Sequence, residues 1–517
     1  MRVPRKAVRV GAALIALTAA IAGTATVGPV RPKGAAAAVD RPNFVMILAD
    51  DLDARTTPYW DAMPKTEALL ADRGMTFTDA FAPMPICCAA RGSILTGKYG
   101  HNTHVLTNSG DEGGYASFVA HDNEDRTFVK YLHDAGYRTG MAGKYLNGLE
   151  DDPTHIPPGW DDWNAGVTKS LYSGYDYTLN ENGTMVDYGS DPDDYQVDVI
   201  AKKSVDFISD AAAGGQPFFW YAAATAPHLP MEAPPRYADN RFTDDTAPHL
   251  PNFQEDDVSD KPTWLRTTAG ERSLTVAATN DLDYQRRMGS LLALDDMVAG
   301  IVATLERAGE LGNTYIVFTS DNGYNLGAHR LVQKMAPYEE SVRVPMVVTG
   351  PGVPHGRTSD IAISTDFAPT FLELAGVPTP SDVDGRSLVP QLHGEKVTDW
   401  RTDFLAEYGG PGPRGEDGVF QEYAPSPLSS VFSEVFLVDL PSWSAVRDER
   451  YLYVRWYDLE RDEADREYEL YDLTKDPYQL DNLLATKAGR AKYAGEVDRL
   501  DARLQHLKEC SGATCRN

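Results

Sequence analysis

Asn43-Phe44-Val45-Met46-Ile47-Leu48-Ala49-Asp50-Asp51 follows Arg41-Pro42 and is mostly apolar up to Ala49, where it ends in two adjacent carboxylates. A run this short and this apolar reads as a buried strand. Thr314-Tyr315-Ile316-Val317-Phe318-Thr319-Ser320 repeats the plan and ends at Asp321-Asn322. Pro217 to Ala223, Tyr137 to Ala142 and Val344 to Thr349 read as further strands. Helices are expected between them: Pro64 to Arg73 with Gly74 as the stop, Phe128 to Asp134 closing on Gly136, and Phe367 to Leu374. Met288, Leu291, Leu292, Met297, Val298, Ile301 and Leu305 recur at helical spacing in the stretch that begins near Tyr284. This alternation predicts an α/β fold, a large, mixed, mostly parallel sheet sandwiched by helices. Such sheets bind ligands beyond the carboxyl ends of their strands. Asp50, Asp51, Asp321 and Asn322 are therefore expected to meet across about 270 residues of chain.

The rest of the 517 residues divides around that core. Arg2, Arg5, Lys6 and Arg9 precede an apolar stretch from about Val10 to Val27, and Ala35 to Ala38 offers a small-residue cleavage site. Residues 1–38 read as a secretory signal peptide, with a retained anchor as the alternative. A secreted chain with no membrane span in its mature part is expected. A catalytic domain is expected over 39–395 and an α+β subdomain over 396–517. In the latter, Trp443 to Val454 and Glu467 to Asp472 read as strands of a small antiparallel sheet, and Lys487 to Leu507 as a helix. Gly409 to Pro427, rich in Gly, Pro and Ser, reads as an irregular loop.

The formal charge of −28 becomes −34 without residues 1–38, which carry six basic residues and no acidic one. A surface this acidic opposes nucleic acid and anionic membranes, so an anionic substrate needs a locally positive pocket. Of the four cysteines, Cys510 and Cys515 are spaced to close a small loop. Cys87 and Cys88 are neighbours, and neighbouring thiols do not pair without severe strain. An exported protein that keeps two such thiols points to chemistry at one of them, against the plainer reading of two buried, inert side chains. Paired acids at a strand end are commonly a cap or turn. With Asp321 and Asn322 added, the oxygen-rich set suits a hard dication.

Cys87-Cys88-Ala89-Ala90-Arg91, with Leu95-Thr96-Gly97-Lys98 after it, resembles the sulfatase motif C-x-P-x-R and its Leu-Thr-Gly tail, with Ala89 in place of proline. Ser320-Asp321-Asn322-Gly323 with Leu326-Gly327-Ala328-His329, Gly143-Lys144-Tyr145-Leu146-Asn147, Ala226-Pro227-His228 and Glu469-Leu470-Tyr471-Asp472-Leu473 resemble further sulfatase motifs in the family's order. Leu146 stands where many sulfatases have histidine, a departure similar to the N-acetylglucosamine-6-sulfatase branch. The resemblance implies an alkaline-phosphatase-like fold and hydrolysis of a sulfated sugar or other small sulfate ester. It implies that a formylglycine-generating enzyme oxidises Cys87 to formylglycine, whose hydrate attacks sulfur. Asp50, Asp51, Cys87, Asp321 and Asn322 would hold one divalent metal, Ca²⁺ or alternatively Mg²⁺. Arg91, Lys144, His228 and Lys334 would complete the catalytic set. An arylsulfatase of broad specificity, a phosphomonoester or phosphonate hydrolase, and an inactive glycan-binding protein are the competing readings.

Overall fold

A computed structural model describes residues 41–410, 440–457 and 467–516. The expected signal peptide, 1–38, and residues 411–427 of the Gly- and Pro-rich loop lie outside them. One sheet contains β1 Asn43–Ala49, β2 Met75–Phe77, β3 Arg138–Gly143, β4 Asp162–Gly166 and β5 Tyr177–Glu181. It also contains β6 Thr184–Tyr188, β7 Phe218–Ala223, β8 Thr314–Ser320, β9 Met346–Thr349 and β10 Gly356–Thr358. The order across the sheet is β10-β2-β9-β8-β1-β7-β3-β4-β5-β6. The central block β8-β1-β7-β3-β4 is parallel, and antiparallel neighbours join it on both sides.

Helices α1 Cys87–Thr96, α2 Phe128–Asp134, α3 Gln196–Gly214, α4 Thr263–Ala308 and α5 Phe367–Leu374 cover both faces. Strand side chains alternate between two cores. Phe44, Met46 and Leu48 enter one with Ile94, Leu132 and Phe371 of α1, α2 and α5. Val45, Ile47 and Ala49 enter the other with Ile200 and Phe207 of α3 and Leu291 and Ile301 of α4. Burial on both faces is why β1 reads as unbroken apolar sequence.

Several elements differ from the sequence reading. α4 begins at Thr263, well before Tyr284. Its segment Asn280–Ala308 is the only helix among the described residues long and apolar enough to cross a membrane, and 72% of its apolar window is buried in the fold. The helix expected over Pro64 to Arg73 is one α-turn, Pro64–Thr66, continued by a π-turn, Glu67–Ala71. The stretch Trp443 to Val454 is a hairpin. It belongs to a second, antiparallel sheet in which β11 Asp403–Tyr408, β12 Ser442–Asp448, β13 Tyr451–Tyr457 and β14 Tyr468–Asp472 lie in that order. The terminal helix is split at Tyr493 into Lys487–Lys492 and α6 Ala494–Glu509. Leu405, Trp443, Leu470 and Leu504 pack into the same core as Phe44, so this sheet extends the first core. Cys510 and Cys515 form a disulfide.

Candidate active site

The strands β8, β1, β7 and β3 are neighbours that run the same way, so their carboxyl ends form one rim. Asp321, Asp50, the segment Ala224–Pro230 and Lys144 leave the sheet there. Backbone bonds continue past the strands: Asp321 N donates to Ala49 O (3.2 Å), Asp50 N to Ala226 O (3.2 Å) and Lys144 N to Ala223 O (2.9 Å). Successive residues of an extended strand point to opposite faces. Asp51 takes φ 65°, which turns its carboxylate to the same side as that of Asp50. Gly143, at φ 108°, lies so close to β7 that an added Cβ would stand 2.0 Å from Ala223 O. Only glycine permits that approach just before Lys144.

Cys87 opens α1, and Gly97 at φ 72° closes it. Positions four apart share a helix face, so Cys87 and Arg91 both look at the rim, while Cys88, Ala89 and Ile94 enter the core. Cys88 N donates to Asn108 Oδ1 (2.8 Å) and its thiol lies 3.8 Å from Asn147 O. Cys87 Sγ is 3.5 Å from Asp50 Oδ1 and 4.0 Å from Asp51 Oδ1. Arg91 Nε donates to Asp321 Oδ2 (2.8 Å), Nη1 to Lys144 O (2.8 Å), and Nη2 is 3.5 Å from Asp50 Oδ2. The chain thus brings every expected residue of the set to one buried point.

Lys144 Nζ donates to Asp50 Oδ2 (2.6 Å), and Lys334 Nζ to Asp51 Oδ1 (2.7 Å) and Cys87 Sγ (2.8 Å). His228 Nε2 is 3.5 Å from Asp51 Oδ2. Lys334 arrives on the excursion 321–345 between β8 and β9. His329, Arg330, Gln333 and Met335 there all have positive φ. The loop is held from outside: His329 Nδ1 bonds Glu255 Oε2 (2.6 Å), Met335 N donates to Pro85 O (3.0 Å), and Trp443 Nε1 donates to Met335 O (2.7 Å).

Burial pushes Asp50 up, but Lys144, His228, Arg91 and Lys334 outweigh it and hold its carboxyl well below the usual range. Asp51 is also lowered, against burial, chiefly by Lys334 and His228. Asp321 is pushed up to about 6 by burial and the charge of Asp50. Burial and Asp50 push the Cys87 thiol well up, so an unmodified thiol here stays protonated and weakly nucleophilic. Burial also lowers His228, with Lys334 and Lys144 opposing its protonation. Asn322 Nδ2 donates to Asp51 Oδ1 (2.7 Å), which leaves Asn322 Oδ1 buried without a hydrogen-bond partner. Single ligand atoms of Asp50, Asp51, Cys87 and His228 lie within 4.8 Å of one another. An orphaned amide oxygen among three carboxylates fits a hard dication.

Two residues at the site went unread in the sequence. The Tyr172 ring lies 4.4 Å from that of His228 and 4.8 Å from Lys144 Nζ. Nothing periodic marks it, since it sits in the 3₁₀ turn Lys169–Ser173. Arg287, fully buried, donates to Asp51 O (2.6 Å). Its signal was available: a charge inside the apolar stripe of α4. Leu146 packs in the first core, and Asn147 Nδ2 donates to Tyr172 Oη (3.1 Å) rather than reaching Cys87.

Comparison with known proteins bears on this arrangement. Residues 42–377 match the Sulfatase family. The Homo sapiens N-acetylglucosamine-6-sulfatase is 37% identical over 503 residues, covering 93% of this chain and 87% of that one. The Drosophila melanogaster extracellular sulfatase SULF-1 homolog is 39% identical over 378 residues, 72% of this chain and 33% of that one. A solved structure in complex with its substrate, D-glucosamine-2-N,6-O-disulfate, superposes with a TM-score of 0.70 at 23% identity, over 91% of this chain and 98% of that one. Identity at this level along nearly the whole chain reflects common descent, and the chain belongs to the sulfatases, enzymes that hydrolyse sulfate esters.

Proposed function

We propose that the protein is an exported sulfatase that removes the 6-O-sulfate of an N-acetylglucosamine-type sugar, using Cys87 converted to formylglycine and one dication. The observation that carries this is the setting of Cys87 Sγ, between the carboxylates of Asp50 and Asp51 and 2.8 Å from Lys334 Nζ. Export rests on the composition of residues 1–38, and the sugar on the activity named for the 37% identical relative. Residues 39–395 would form the catalytic domain, with 396–517 extending it.

As a hydrated aldehyde, position 87 supplies two hydroxyls, one to attack sulfur and one to expel sulfate afterwards, which a thiol or serine cannot do. Asp50, Asp51, Asp321, Asn322 and the modified residue 87 would hold a dication, which would supply Lewis acidity, with Ca²⁺ preferred to Mg²⁺ for this oxygen set. The chain's own groups do the rest. Lys144, Lys334 and Arg91 match the charges of the three carboxylates, so a dication leaves net positive charge for an anionic ester. Arg91 fixes Asp321 and the Lys144 carbonyl and so sets the depth of the nucleophile. The departing alcohol takes its proton from His228 or Lys334. Burial favours the neutral form of His228, and Lys334, paired with Asp51 Oδ1 at 2.7 Å, is the charged alternative.

The test pairs two variants. Cys87→Ala is expected to release no inorganic sulfate from N-acetylglucosamine 6-sulfate, while Cys88→Ala retains most of the wild-type rate. Equal losses in two folded variants would count against residue 87 as the nucleophile. Mass spectrometry of the tryptic peptide 74–91 reads the modification directly, and two intact thiols in active enzyme would refute it.

A further inference from the structure

A cavity opens beside the rim, with Lys144 at its inner end and Asn147, Glu150, Thr168, Lys169 and Tyr172 around it. It adjoins the reaction centre through two links. The Tyr172 ring touches both His228 and Lys144, and Asn147 O faces the thiol of Cys88, the neighbour of the nucleophile.

Its polar lining mixes donors, Lys144 and Lys169, with acceptors on Asn147 and Glu150. Asn147 spends its amide N–H on Tyr172 Oη, and its Oδ1 is left buried with no hydrogen-bond partner. A buried, unmatched acceptor asks for a donor from a ligand. The Glu150 carboxylate takes Gly148 N at 3.0 Å and stands 4.0 Å from Lys169 Nζ, and it is about a third exposed. Tyrosine rings beside both acceptors and ammonium donors suit a pyranose, which has an apolar face of C–H groups and a rim of hydroxyls that donate and accept.

We propose that this cavity seats the sugar ring of the sulfate ester. Asn147 Oδ1 and the Glu150 carboxylate accept hydrogen bonds from ring hydroxyls or an N-acetyl N–H, and Tyr172 lies against the apolar ring face. This rests on the sulfatase reading above and deepens it: the cavity, rather than the sulfate-binding cations, separates a sugar sulfate from other sulfate esters. A site built to accept a ligand's donors discriminates strongly against a ligand without them, because its acceptors are then buried unmatched.

The experiment measures kcat/KM for N-acetylglucosamine 6-sulfate and for 4-nitrophenyl sulfate, whose ring carries no donor. Wild type, Asn147→Ala and Glu150→Gln are compared, and the ratio of the two substrates is the readout. That ratio does not depend on how much of a variant is folded. The sugar-to-aryl ratio is expected to fall at least about tenfold in each variant. A ratio within about twofold of wild type in both variants overturns the subsite. Wild type that cleaves the aryl ester but not the sugar also overturns it and leaves the sulfatase reading standing. Wild type inert to both esters, with formylglycine present at position 87, overturns the parent reading instead.

Discussion

At the scale of single residues, the site is a balance of buried charges in which each group is held by its opposite. Arg91 shows what that demands. Its guanidinium meets Asp321, the Lys144 carbonyl and Asp50 from one fork, a pattern that a point-like ammonium cannot copy. Arg91→Lys is expected to lower kcat/KM by about 100-fold or more and to destabilise the fold by about 3 kcal/mol, the scale of breaking a buried pair. Steady-state sulfate release and a urea titration check the two parts, and an unaltered rate would show the fork to be dispensable. Asn322 carries the metal argument. Adding Ca²⁺ is expected to raise the melting temperature of the wild type, and Asn322→Ala to need at least about tenfold more ion for the same rise. Identical titrations would remove Asn322 from the ligand set. Asn322 was legible beside Asp321 at a strand end, where it adds an amide oxygen to carboxylates, and Arg91 only through the motif around Cys87 that resembles the sulfatases'. Tyr172 was not legible, because its role arises from a fold contact with His228 and Lys144 that no local pattern announces.

Secondary-structure elements were read well where period and burial agree, and poorly where they part. β1 and β8 run as the sequence implies. The hairpin β12–β13 was hidden because its turn uses neither glycine nor proline. Asp448 Oδ1 instead accepts from Arg450 N (2.8 Å) and Tyr451 N (2.5 Å), an aspartate-built turn inside a run of strand-forming residues. The first turns of α4 escaped because residues 263–279, with five threonines and a glycine, carry no regular apolar stripe. Direction was also invisible: β9 is antiparallel to β8, and the excursion 321–345 between them delivers Lys334. That excursion depends on distant clamps. His329→Ala removes the contact to Glu255 and is expected to lower kcat by about tenfold, whereas His329→Gln, which retains a polar group, restores part of it. The discriminating measurement is KM beside kcat for both variants. A loss confined to thermal stability would mean that the loop needs no such anchor.

Across the whole molecule, the second sheet and the C-terminal tail are bound to the segment that follows α1 through a titratable contact. His101 lies just beyond α1. Its Nδ1 meets Glu407 Oε1 of β11 at 2.8 Å, and its Nε2 meets Cys510 O at 3.1 Å. Burial opposes protonation of His101, but Glu407 and the Cys510 carbonyl overcome it and push the pKa up to about 9. An unfolded histidine titrates near 6.5. The folded form therefore gains stability that is full below about pH 6.5 and is lost as pH rises through about 9. The shift corresponds to about 3 kcal/mol. Melting temperature is expected to fall over that interval, and His101→Gln to flatten the fall. A wild-type curve without that step would exclude the charged pair.

The rim itself has a consequence for how the chain reaches its working state. β1 is greasy on both sides, so sliding it by one position past β7 and β8 would expose little that water objects to. Its ends supply the penalty. Asn43 Oδ1 accepts from Phe218 N at 3.1 Å and its Nδ2 donates to Glu310 Oε2 at 2.8 Å, while Asp50 N reaches Ala226 O at 3.2 Å. A slipped strand would forfeit all three and put the wrong aspartate under the nucleophile. Such a chain would be dense and inactive, so turnover reports alignment of the sheet where compactness does not.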